Sequence, residues 1–231
     1  MGWFGKYLTS SIGRKLIMSL TGLFLILFLV VHLIGNFQLL KGDGGEAFNK
    51  YTYFMTHNPL IKTVSYGLYF FILLHTVQGI MLWLANRAAK GETYAVKPQG
   101  QTGVSWASKN MALLGSLIFV FLVIHMGDFW AKMKLGLLGT KTYAGFADGE
   151  PIKDLYARVA EAYSNPIYVV IYVISMVVLY FHLAHGFQSA FQTLGANHRK
   201  YTPFIKGLGQ AYALLVALGF ALIPIIFFLT K

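Results

Sequence analysis

The chain has no cysteine among its 231 residues. That absence excludes a disulfide, a thiolate-held iron–sulfur cluster and a covalently attached c-type haem, which needs a C-x-x-C-H motif. Any cofactor must be held by other ligands. Charge is scarce as well: Asp, Glu, Lys and Arg make up 12% of the chain, and only 8 acidic residues face 19 basic ones. A net charge of +11 could signal nucleic-acid binding. The cations, however, stand at the borders of apolar segments and form no stripe with interleaved aromatics, so membrane topology explains them better.

What the chain has in abundance is apolar sequence: 56% hydrophobic residues and a mean hydropathy of +0.59, well outside the usage of soluble domains. A hydrocarbon core about 30 Å thick takes roughly 20 apolar residues per helical span. Five such segments are expected, over about 15–40, 60–87, 109–130, 166–195 and 205–229. The fold expected is an all-α integral membrane bundle forming one domain over residues 1–231. The first segment is too long for a signal-peptide core and no A-x-A-like site follows it, so it reads as a retained span. Proline suits the opening turns after Asn58 and Asn165, and Pro224 predicts a kink in the fifth span. Between spans three and four, Leu155, Val159 and Ala162 recur at helical spacing beside Asp154, Arg158 and Glu161, which predicts a short interfacial helix. Residues 46–55, with Phe48, Tyr51 and Phe54, predict another.

Orientation rests on slender counts. With the N-terminus inside, ten Lys and Arg face in (Lys6, Arg14, Lys15, Arg87, Lys90, Lys97, Lys109, Arg199, Lys200 and Lys206) against nine out, while Glu92 is the one inner acid. The expectation is a cytoplasmic N-terminus, with the termini on opposite sides.

Ionisable residues inside a span are costly and mark function by default. Spans one to four each carry a histidine at depth, His32, His75, His125 and His182, while span five carries none. With a rise of about 1.5 Å per residue, His32 and His125 fall roughly 10–14 Å below the outer border and His75 and His182 roughly 24 Å below it. The histidines therefore sort into an outer and an inner pair, each drawn from two helices and separated by roughly 10–14 Å. Haem iron takes two axial ligands and imidazole suits it, so two pairs predict two b-type haems stacked across the bilayer, enclosed by the first four helices. Gly79 and Gly186 follow the inner histidines by four residues; Gly22 and Gly115 precede the outer ones by ten, which brings them to the depth of the other pair. A flat macrocycle favours backbone without a Cβ beside it, although membrane helices also use glycine for close packing. His185, one turn from His182, could replace it as ligand; His182 is preferred because it alone has glycine at the fourth following position, as His75 does. His57 and His198 lie in connecting segments and read as interfacial.

The segments Val31-His32-Leu33, Leu74-His75-Thr76-Val77-Gln78-Gly79, Ile124-His125-Met126 and the run from Phe181 to Ser189, with Gly45-Glu46-Ala47-Phe48-Asn49 after span one, resemble the cytochrome b subunit of succinate dehydrogenase and fumarate reductase. The form resembled is the single-chain, five-helix, two-haem membrane anchor. The likeness covers spans one to four. It implies the same ligand pairing, His32 with His125 and His75 with His182, as depth gives. It also implies a flavoprotein and an iron–sulfur subunit as partners on the cytoplasmic face, menaquinone as the membrane substrate, and a bacterial cytoplasmic membrane as the location. The chain would then be an electron relay and anchor, with no catalytic side chain of its own for the dicarboxylate.

Haem propionates, being anions, should meet Ser11, Arg14, Trp106 and Lys109 at the inner border. Glu46, His57 and Asp128 near the outer border are candidates for proton exchange with quinone. Three rivals stand beside this reading. One is the cytochrome b subunit of another respiratory enzyme, such as a hydrogenase, formate dehydrogenase or nitrate reductase. A second is a histidine-lined metal or proton transporter, which would predict acidic residues among the histidines inside the spans, where the sequence reading places none. The third is a structural anchor without haem, which leaves four depth-matched histidines unexplained.

Overall fold

A computed structural model describes residues 2–89 and 105–230; Lys90, Glu92 and Lys97, used in the orientation count, lie outside them. Five helices are long and apolar enough to cross a membrane: Ser11–Leu40, Pro59–Ala89, Met111–Lys134, Pro166–Thr193 and Thr202–Thr230. They are called spans one to five, and the end of the bundle holding Ser11 is called inner. The chain is an all-α membrane bundle, as expected, with borders shifted by a few residues.

Local chemistry sets those borders. Span one opens at Ser11 because the Ser10 hydroxyl accepts from the Gly13 N–H at 3.1 Å. Asn58 caps span two, its side-chain oxygen accepting from Leu60 N at 3.0 Å, and Asn165 caps span four through Ile167 N at 2.9 Å. In both cases proline follows at the first helical position, where its missing N–H costs nothing. Span three starts at Met111 instead of 109, because Trp106–Lys109 forms a separate turn capped by Ser105 and broken at Asn110. A helix over Trp3–Thr9 precedes span one, with no expectation from the sequence. Gly13 permits the join: a Cβ there would stand 2.1 Å from the Tyr7 carbonyl oxygen. Span five runs through Pro224 as one helix, with the proline buried.

Both interfacial helices are present, at Glu46–His57 and Leu155–Tyr163. They are clamped together at the outer end by Asn49, which is fully buried. Its Nδ2 donates to Tyr143 Oη at 2.9 Å and to Asp154 Oδ1 at 2.8 Å, while its Oδ1 accepts from Tyr156 N at 3.0 Å. Gly45 turns the chain into this clamp at φ +89°, with the Tyr156 ring where a Cβ would project. A two-residue antiparallel ladder, Thr140–Lys141 with Ile152–Lys153, ties the connecting loop together.

In lipid the spans gain little from expelling water and depend on close packing. Span five shows how. Gly209 lies against the Phe187 ring and Gly219 against Leu33, so close that a Cβ would fall 2.7 and 2.8 Å from those side chains. Spans one, four and five thereby share a core around Ile26, Phe187 and Ala213. A second core, around Phe48, Phe129, Tyr163 and Phe227, fills the outer end. Span two contrasts with both, burying none of its residues.

Candidate functional site

The histidines of spans one to four meet in two pairs. His32 and His125 have ring centres 5.8 Å apart with planes at 88°, and His75 and His182 have centres 6.3 Å apart with planes at 65°. An imidazole nitrogen sits about 2 Å from a metal it binds, so two imidazoles facing each other across one ion have ring centres roughly 6 Å apart. Both pairs stand at that spacing. Among the described residues no group of three or more His, Asp or Glu side chains is arranged to hold a metal ion. The arrangement therefore offers two-ligand centres, which suit an ion whose other positions are filled by a macrocycle.

The levels of the pairs can be read from the packing. Gly22 and Gly115 both lie at the inner pair: a Cβ on Gly22 would be 3.3 Å from His75 Cε1 and one on Gly115 3.9 Å from His182 Cε1. Each glycine is ten residues from the outer histidine of its own span, which sets the two levels about 15 Å apart. That slightly exceeds the 10–14 Å expected from the borders. Gly79 lies 3.4 Å, measured from its would-be Cβ, from the end of Met18, and nothing stands within 4 Å of the same point on Gly186.

Each pair has one imidazole held through its other nitrogen. His75 Nδ1 lies 3.1 Å from the Thr21 hydroxyl, which itself donates to the Ile17 carbonyl at 2.8 Å. With its proton so committed, the hydroxyl accepts from Nδ1–H and leaves Nε2 with a free lone pair. His125 Nδ1 lies 3.2 Å from Tyr172 Oη, a relation of the same kind. Such partners fix tautomer and ring orientation and make an imidazole a better ligand. His182 fits from another direction: its Nδ1 is buried without a hydrogen-bond partner, a costly condition that a bound ligand relieves once the ring is turned. Gln78 Oε1, one turn past His75, is likewise buried and unpartnered. His32 stacks on Phe28 at 5.2 Å, and its neighbour Asn36 spends its strongest hydrogen bond, 2.7 Å, on the His32 carbonyl.

The outer pair is set in charge. Directly after His125 the helix widens into a π-turn over Met126–Ala131, a distortion common at functional sites. The turn carries Asp128, and this corrects the sequence reading that no acid lies among the histidines inside the spans. Asp128 is inside span three and is not free. It pairs with Arg158 and with Lys132, the latter at 2.6 Å, and accepts from Tyr168 Oη at 2.5 Å. Arg158 also pairs with Glu161 at 2.8 Å. Burial opposes the Arg158 charge, but its hydrogen bonds to Asp128 and Glu161 outweigh that and hold the guanidinium above its ordinary value.

The four candidates for anion contacts stand at the inner ends of spans one and three. Ser11 is exposed in the first turn of span one and Arg14 is half-buried one turn on. Trp106 is exposed, its ring edge-on to Phe181 at 5.4 Å, which brings it to the neighbour of His182. Lys109 is exposed at the end of the same short turn. Glu46 is paired with Lys50 at 2.6 Å. His57 stacks on Tyr53 at 3.9 Å beside a polar cleft of about 260 Å³ that also involves Thr52, Thr56 and Lys134. His198 lies in the exposed turn before span five, accepting from Lys200 N. His185 is half-buried on span four.

Sequence reasoning missed Thr21 and Tyr172, although a signal for each was present. Thr21 adjoins Gly22, and Tyr172 precedes His182 by ten residues, the same offset that carries Gly22 and Gly115 from one level to the other. No family model, no curated protein and no solved structure matches the chain.

Proposed function

We propose that the chain is a di-haem cytochrome b membrane anchor that relays electrons between an iron–sulfur subunit and a membrane quinone, as part of a succinate:quinone oxidoreductase. The observation that carries the reading is the pair of histidine contacts, 5.8 Å and 6.3 Å between ring centres, at two depths about 15 Å apart. His32 and His125 would hold the outer haem, His75 and His182 the inner one. When bound, each haem supplies a one-electron iron couple.

The chain's own residues do the rest. The four imidazoles would hold the two haem irons, and Thr21 and Tyr172 orient two of them. Gly22 and Gly115 keep side chains clear of the inner level. Arg14 and Lys109 supply positive charge at the inner ends, where anionic propionates and an acidic docking partner are favoured. The two levels divide a crossing of about 30 Å into shorter steps. Membrane quinone would be used at the outer end, with Glu46, His57 and Asp128 as candidate proton-carrying groups. Of these Asp128 is the least suited to exchange, because two cations and a tyrosine already occupy its oxygens.

The partner is what separates this reading from the cytochrome b of another respiratory enzyme. Co-expression with a flavoprotein and an iron–sulfur subunit, followed by purification through a tag on this chain, tests it. The expected result is a three-subunit complex in which succinate reduces the bound haem and a menaquinone analogue reoxidises it. A haem-loaded chain that retains neither subunit would move the function to another oxidoreductase.

A further inference from the structure

We propose that Tyr172 is a positioning residue for the outer centre, and that with Tyr168 it couples His125 to the half-buried carboxylate of Asp128; the inference rests on the two-haem reading. With Nε2 of His125 turned to the iron, Nδ1 carries the proton and donates to Tyr172 Oη, 3.2 Å away. The Tyr172 ring stacks on that of Tyr168, with centres 5.0 Å apart. Tyr168 Oη donates to Asp128 Oδ2 at 2.5 Å. Arg158 and Lys132 keep Asp128 an anion, so the stacked tyrosine pair joins His125 on one side to a fixed negative charge on the other.

Three features make this an arrangement for the histidine and not general packing. The π-turn over Met126–Ala131 brings Asp128 round to the side of spans three and four where Tyr168 and Tyr172 stand. Arg158 reaches it from outside the spans, from the helix Leu155–Tyr163, so the connecting loop is tied to the centre through one carboxylate. Among the described residues the inner pair has no counterpart: the Thr21 hydroxyl passes its hydrogen bond to a neutral backbone carbonyl. A tyrosine pair held against an anion strengthens the hydrogen bond that Tyr172 accepts from Nδ1–H and makes the imidazole a stronger electron donor. A stronger donor favours ferric iron, so the tyrosine pair lowers the midpoint potential of the outer haem.

Potentiometry of the purified full chain, followed by visible and EPR spectra, tests this with Tyr172→Phe, the outer haem being assigned by its loss in His32→Ala. The expected result is two bound haems, an outer midpoint potential shifted upward, a changed outer low-spin EPR signal and an inner haem that does not move. A merely structural tyrosine would leave the potential of a retained haem where it was. Should Tyr172→Phe fail to assemble, Arg158→Gln reads the same coupling from outside the spans and should shift the outer potential upward by less. An outer potential unchanged in the assembled variant, or a shift shared equally with the inner haem, overturns the assignment. A wild-type chain with no haem would overturn the underlying function as well, and is distinguishable because it precedes any comparison of variants.

Discussion

The outer and inner histidine pairs share a ring spacing but are supported in different ways. Around the outer pair stand Phe28, Phe121, Phe129 and Phe220, a π-turn, and a cluster of Asp128, Arg158, Lys132 and Tyr168 tied to the interfacial helices. Around the inner pair stand two glycines, one threonine and two buried polar atoms without partners, Gln78 Oε1 and His182 Nδ1. One level is held by many side chains that already satisfy one another. The other is held by few, and two of its polar atoms are buried without hydrogen-bond partners. The difference teaches that pairing is set by the helices, while the chemical character of each level is set by what the connecting segments add.

The largest effect should come from the histidines themselves. His75→Ala and His182→Ala should each remove the inner haem and keep the outer; His32→Ala and His125→Ala should do the reverse. Spectra of the four variants decide it, and loss of different haems within one pair would break the pairing. Thr21→Val sharpens the comparison at the inner level. It removes the partner of His75 Nδ1 without changing shape, and loss of such a partner weakens ligation by about tenfold or more. Competition for haem against an external acceptor should show weaker inner retention and unchanged outer retention. The smallest effect belongs to Asn49→Ala, which strips the clamp between the interfacial helices. Loss of its three hydrogen bonds, to Tyr143, Asp154 and Tyr156 N, should cost about 1–3 kcal/mol, read as a lower thermal midpoint in detergent, with the spectrum of the inner haem unaltered.

Much of this arrangement is legible in the sequence because helices convert residue number into depth. The five spans, both interfacial helices, the two histidine levels and the placement of Gly22 and Gly115 beside the inner pair all follow from counting along a rod of fixed rise. Where the rod deviates, counting fails. The π-turn carries no residue pattern of its own; Asp128 stands three residues past His125 within the expected third span, and what the sequence does not give are its partners Arg158 and Tyr168, which come from other elements. Tyr172 and Thr21 escaped because a hydroxyl facing a ring depends on how helices are rotated, which depth alone does not give. The motif Gly45-Glu46-Ala47-Phe48-Asn49 was read for its acid, yet its buried members are Gly45, Phe48 and Asn49. They build the clamp, while Glu46 pairs with Lys50 at its edge.

The central claim is that two histidine pairs hold two haems, and a pyridine haemochrome count on the purified chain, with a reduced-minus-oxidised spectrum, tests it most directly. Two b-type haems per chain are expected. A folded chain, prepared with haem supplied, that binds none would contradict the account and return the histidines to the transporter reading.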